Sequence, residues 1–135
     1  MSLPTISAEL AALENGTLDP AKFPHREHLR FAYEMLGQHS LGEAIMRFSR
    51  GVRQLAGKVG QPQLYHETIT LGFLAVIAER RARAAHKDWS DFIAQNPDLL
   101  DKQALLRWYP VAQLDSELAR RTFCLPTPRV EAFPG

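Results

Sequence analysis

The 135-residue sequence has one cysteine and almost no net charge. Because Cys124 has no second cysteine to pair with, the composition favours a reducing, cytoplasmic setting over a disulfide-stabilised secreted fold. The formal net charge of +1 provides no overall field that would attract DNA, RNA or an anionic membrane. We therefore expect no nucleic-acid partner and no membrane partner.

Long apolar runs, strand patterns and internal repeats are missing as well. No stretch approaches the ~18 apolar residues that a membrane-spanning helix requires. The first residues lack a basic segment followed by an apolar one, as a secretory leader would have. Alternating apolar and polar residues, which indicate strands, are nearly absent. These absences predict a soluble, unexported protein that is not rich in β-structure.

Helical periodicity is what the sequence has in abundance. With 45% hydrophobic residues, a chain of this length can bury more than ~60% of its unfolded surface in one domain. The spacing predicts an all-α, single-domain helical bundle over residues 1–135. Three longer helices are expected at about 25–38, 41–59 and 64–85. Short helices are expected at 7–15, from a cap at Asp88 or Ser90 through Ile93, at 99–108, and from Asp115 or Ser116 to Thr122. Residues 123–135 are rich in proline and predict an irregular arm.

Two short groups of polar residues stand where helices are expected to begin. The first contains His25 and His28, which share one face of a helical turn because they are three residues apart. The second places His66 beside Glu67, about forty residues later. Pro24 directly precedes the first group, as is typical of helix starts.

Short connections bring these two groups to one place. Neighbouring helices joined by about two to four residues run antiparallel. The second and fourth helices should therefore be parallel, with their N-terminal ends at the same end of the bundle. This arrangement predicts one site that combines His25, His28, His66 and Glu67.

Three imidazoles and a carboxylate are suitable ligands for a divalent transition metal. Zinc is the first choice, and iron, manganese or nickel are possible alternatives. In the leading hypothesis the protein is a metal-dependent hydrolase or lyase acting on a small molecule. His25, His28 and His66 are then metal ligands, Glu67 is a fourth ligand or the base, and His66 and Glu67 are the catalytic pair.

Other functions fit the same residues. A non-catalytic metal-binding or anion-binding module would use the same end of the bundle, and a metal-free enzyme could use a His/Glu pair for acid–base chemistry. Helix capping and ordinary core polarity are the structural alternatives. The expected partner is a small-molecule ligand or substrate, and the protein is expected to be a monomer or a homodimer.

Three segments together resemble a group of small bacterial all-helical proteins whose function is not defined. They are the string from Phe23 to Arg30, the string Tyr65-His66-Glu67-Thr68, and the string from Asn96 to Leu100. The resemblance covers roughly residues 10–125. It implies a helical fold and a site at the histidines, but it implies no reaction.

Overall fold

The computed structural model describes residues 6–127, which form seven α-helices and no strand. The helices are α1 (Ile6–Asn15), α2 (His25–Gln38), α3 (Leu41–Lys58), α4 (Glu67–Arg83), α5 (Trp89–Gln95), α6 (Val111–Leu114) and α7 (Glu117–Arg121). None of them is both long enough and apolar enough to span a membrane. The predicted all-α single domain is confirmed. Most of the predicted C-terminal arm, residues 128–135, lies outside the described residues.

The three longer helices begin and end close to where the sequence predicts. The bounds of α2 are the predicted ones, and α3 is capped by Ser40, whose hydroxyl accepts a hydrogen bond from the amide of Glu43. The prediction for α4 is too long at both ends. Pro62–Leu64 forms a separate 3₁₀ turn, and His66 has an extended backbone, so α4 starts three residues later than predicted.

The predicted helix near 99–108 is wrong. This segment contains two 3₁₀ turns, Pro97–Leu100 and Ala104–Arg107, separated by an extended residue at Asp101. The Asp101 carboxylate accepts a hydrogen bond from the amide of Gln103 at 2.9 Å. A side chain that binds the backbone two residues ahead favours a turn over a continuous helix.

The central helices α2 and α4 run parallel, as the short connections predict. His25 at the start of α2 meets Phe73 with ring centroids 5.1 Å apart, and Tyr33, eight residues later, lies under Arg81, eight residues after Phe73. The constant offset of 48 residues establishes the direction. It also shows that the start of α2 lies level with Phe73, seven residues beyond His66, a displacement of roughly 10 Å along α4.

Two glycines allow helices and loops to approach closely. A Cβ atom on Gly51 of α3 would lie 2.6 Å from Cγ of Leu13 on α1. A Cβ atom on Gly72 of α4 would lie 3.0 Å from Cδ1 of Leu105. Gly72, which costs helix propensity inside α4, therefore accommodates packing of the segment that follows α5.

Candidate functional site

His66 holds the start of α4 in place. Its Nδ1 accepts a hydrogen bond from the amide of Ile69 at 3.1 Å, which makes it the N-cap of the helix. Its Nε2 lies 2.7 Å from the carbonyl oxygen of Leu114 and must donate, because a carbonyl only accepts. The side chain is buried, with 8% exposure. Both ring nitrogens of His66 are therefore already engaged within the protein.

Glu67 does not line the cavity that contains His25 and His28. It accepts a hydrogen bond from the hydroxyl of Tyr65, and the guanidinium of Arg53 lies 3.8 Å from its carboxylate. Burial, followed by the hydrogen bond to Glu67, raises the pKa of Tyr65 to about 12. Glu67 belongs to an open cavity of about 690 Å³, here called the arginine cavity. Its charged wall residues are Arg53, Glu67, Glu117, Arg120 and Arg121.

His25 and His28 line one cavity together, as their spacing predicts. This histidine cavity has a volume of about 400 Å³. Its polar wall residues are His25, His28, Thr70 and Lys102, and its aromatic ones are Phe23, Phe48 and Phe73. A pocket that is mainly apolar and contains a few polar groups is typical of small-molecule sites.

The ring of His25 is oriented by a backbone carbonyl. Nε2 of His25 lies 2.9 Å from the carbonyl oxygen of Leu99 and donates to it. In the neutral imidazole, Nδ1 then carries the lone pair. The segment around Leu99 is itself anchored, because both carboxylate oxygens of Asp98 accept hydrogen bonds from the guanidinium of Arg80, and Asn96 accepts a third. The Asn96 to Leu100 string thus supports His25.

His28 is held in an apolar environment. Its ring stacks on Phe23 with centroids 4.0 Å apart and meets the edge of Phe48 at 6.4 Å. Burial, with smaller contributions from His25 and Lys102, lowers the pKa of His28 to about 4, although a hydrogen bond with the backbone of Phe23 acts in the opposite direction. His28 is therefore uncharged at neutral pH.

The four predicted site residues are thus divided among separate places at one end of the bundle. His25 and His28 share a cavity, Glu67 lines another, and His66 lies buried with both nitrogens bonded. The displacement of α2 along α4 explains why the two groups do not meet. Among residues 6–127, no group of three or more His, Cys, Asp or Glu side chains is arranged to hold a metal ion.

Sequence reasoning missed Lys102 and Thr70 as cavity residues. Lys102 follows the turn at Asp101, where no periodic pattern indicates the direction of a side chain. Thr70 is in the first turns of α4 and reads as an ordinary helix residue. Its neighbour Thr68 is structural: its hydroxyl donates to the carbonyl of Thr122 and accepts from the amide of Cys124.

Comparison of the chain with family models, curated proteins and solved structures gave no match.

Proposed function

We propose that this protein is a small acid–base enzyme, of hydrolase or lyase type, that acts on a small molecule in the histidine cavity. The observation that carries the proposal is that His25 and His28 line the same cavity. Its volume of about 400 Å³ falls in the range of roughly 300–1,000 Å³ common for ligand sites. Lys102 adds one cation to its wall.

His25 is assigned the proton transfer. A catalytic histidine is commonly oriented through one ring nitrogen while the other exchanges the proton. The Leu99 carbonyl provides this orientation and leaves Nδ1 of His25 as the basic nitrogen. Glu67 has no catalytic role in this proposal, since it lines a different cavity.

His28 is assigned a hydrogen-bonding role beside the reacting group. An efficient general base has a pKa near the working pH. The pKa of His28, about 4, is well below neutral pH, so His28 is a poor general base there. A neutral imidazole still accepts a hydrogen bond from a water molecule or a substrate hydroxyl. His28 would thereby orient the group whose proton His25 removes.

The test is a screen of small substrates with three matched variants. Hydrolysis of p-nitrophenyl esters and elimination of water from small hydroxy acids are measured for wild type, His25→Asn, His28→Asn and His39→Asn. We expect His25→Asn to lower kcat by about 10²–10⁴-fold, the usual contribution of general acid–base catalysis. His39 lies at the opposite end of α2, so His39→Asn should leave the rate unchanged. Activity that survives in His25→Asn contradicts the proposal.

A metal-dependent enzyme is the second candidate. The hydrogen bond from Nε2 of His25 to the Leu99 carbonyl favours this candidate. A histidine that binds a metal through one ring nitrogen usually donates the N–H of the other to a carbonyl or carboxylate. Zinc comes first, with iron, manganese or nickel as alternatives. Catalytic zinc sites commonly have three protein ligands. The histidine cavity offers two imidazoles, His25 and His28, which is why the metal-free reaction is preferred.

A further inference from the structure

A third cavity lies between the two already described. This apolar cavity has a volume of about 260 Å³ and shares Phe23 and His28 with the histidine cavity. It shares Leu64 and Tyr65 with the arginine cavity. The three cavities are therefore adjacent, with the apolar cavity in the middle, and this row of cavities is called the groove below.

The middle of this groove has no charged wall residue. Apart from His28 and the aromatic rings of Phe23 and Tyr65, its walls are formed by aliphatic side chains, among them Val52 and Leu55. Val59 and Leu64 are 45% and 61% exposed, so apolar surface faces solvent here. An apolar segment of a bound molecule would cover this surface, which is otherwise unfavourable to expose.

The far end of the groove is cationic. Arg53, Arg120 and Arg121 line the arginine cavity together with two carboxylates, Glu67 and Glu117. Each carboxylate lies 3.8 Å from one guanidinium, Glu67 from Arg53 and Glu117 from Arg121, so that Arg120 provides one excess positive charge. The carboxylate of Glu67 also accepts a hydrogen bond from the hydroxyl of Tyr65. The guanidinium carbon of Arg53 lies 5.1 Å from the centre of the Tyr65 ring, and the Arg53 side chain is 57% exposed. Arginine is well suited to bind a carboxylate or phosphate.

We propose that the substrate is an elongated amphiphilic anion whose carboxylate or phosphate binds among Arg53, Arg120 and Arg121. Its apolar segment lies on Val59 and Leu64, and its reacting end reaches the histidine cavity past His28. This inference rests on the proposed function, and it adds the class of substrate and a second binding subsite. The arginine cavity is then the part of the site that selects for charge.

Octanoate is a suitable probe, with 1-octanol as its neutral analogue and acetate as its short one. Binding to the full chain is measured by titration calorimetry and located by amide chemical shifts. We expect octanoate to bind saturably at one site at least fivefold more tightly than octanol, and acetate to bind more weakly than octanoate. The amide chemical shifts of Val59 and Leu64 should change when octanoate binds.

Variants separate the contributions of charge and apolar surface. Arg53→Gln combined with Arg121→Gln should weaken octanoate binding about five- to tenfold without changing octanol binding. Val59→Asp should weaken both probes. Arg50→Gln, an exposed arginine on the same helix that lines none of the three cavities, is the control and should bind both probes like wild type. Unchanged melting temperatures establish that the variants are folded.

Equal affinities for octanoate and octanol, or unchanged octanoate binding in the double arginine variant, overturn this inference. Its failure can be distinguished from that of the proposed function. Octanoate binding that persists while no turnover depends on His25 contradicts the enzyme proposal alone. Turnover that depends on His25 but is indifferent to the two arginines and to substrate charge contradicts the substrate class alone.

Discussion

Nε2 of His66 donates a hydrogen bond to the carbonyl oxygen of Leu114 at 2.7 Å, across 48 residues of sequence. Through its other nitrogen the same ring caps α4 at the amide of Ile69. One side chain thus connects the start of a central helix to the end of α6. Thr68 makes a second connection to the C-terminal segment, because its hydroxyl donates to the carbonyl of Thr122 and accepts from the amide of Cys124.

The first prediction concerns this connection. His66→Ala removes the cap, worth about 1 kcal/mol, and leaves the buried Leu114 carbonyl without a donor, which costs about 1–3 kcal/mol. We expect a loss of about 2–4 kcal/mol in the free energy of unfolding, measured by urea denaturation. His66→Asn keeps a good capping side chain that is too short to reach Leu114, so its loss should be about half as large. A His66→Ala protein as stable as wild type would show that the cap and the connection contribute nothing.

The second prediction concerns the pH dependence of stability. In the folded protein the pKa of His28 is lowered from 6.5 to about 4 by burial, assisted by His25 and Lys102. Between these values the unfolded chain binds a proton at His28 that the folded chain does not, so stability rises with pH there. The contribution is fully present above pH 6.5 and is lost as the pH falls towards 4. At about 1.4 kcal/mol per pH unit it amounts to about 3 kcal/mol at most.

Urea unfolding at a series of pH values between 4 and 7 measures this effect. His28→Asn should flatten the slope in that interval, because the substituted side chain does not titrate. His39→Asn serves as the matched control, since His39 lies outside the histidine cavity at the other end of α2. Equal changes of slope in the two variants would contradict the assignment of the effect to His28.

The third prediction concerns the close approach of α1 and α3. Gly51→Ala would bring a methyl group to 2.6 Å from Cγ of the fully buried Leu13, where the side chain cannot yield easily. Overpacking of this kind costs about 1–3 kcal/mol, and a helix propensity gain of up to about 1 kcal/mol offsets part of it. We expect a net loss of about 1–2 kcal/mol. The free energy of unfolding from urea denaturation checks this value.

Gly57→Ala is the matched control on the same helix. A Cβ atom there meets nothing within 4 Å, so only the propensity term remains and the protein should gain about 0.5–1 kcal/mol. If the two substitutions change stability in the same direction by similar amounts, packing against Leu13 is not the cause.

The sequence predicts the helices and their directions well, because both depend on local features. Periodicity and the cap at Ser40 define α2 and α3, and short connections make α2 and α4 parallel. Local features do not determine how far one helix is displaced along another. That displacement is set by packing contacts such as His25 on Phe73 and Arg81 on Tyr33, and it separates His25 from His66.

The same limit applies to the candidate site. The i, i+3 spacing predicts that His25 and His28 lie together, and they do. The engagement of both nitrogens of His66 could not be foreseen, because one partner, Leu114, lies 48 residues away in the sequence. Lys102 enters the cavity from a turn, and only the folded chain shows that it lies beside His28.

The last prediction distinguishes the metal site predicted from the sequence from the arrangement in the fold. Zinc binding is measured by competition with a chromophoric chelator for wild type, His25→Ala, His28→Ala and His66→Asn. Any zinc held in the histidine cavity depends on the first two residues, so each alanine variant should weaken binding at least tenfold. His66→Asn should stay within twofold of wild type, because both nitrogens of His66 are bonded to Ile69 and Leu114. Near-stoichiometric zinc that is lost equally in His66→Asn would restore the site of three histidines and Glu67, and would require the start of α4 to rearrange when the metal binds.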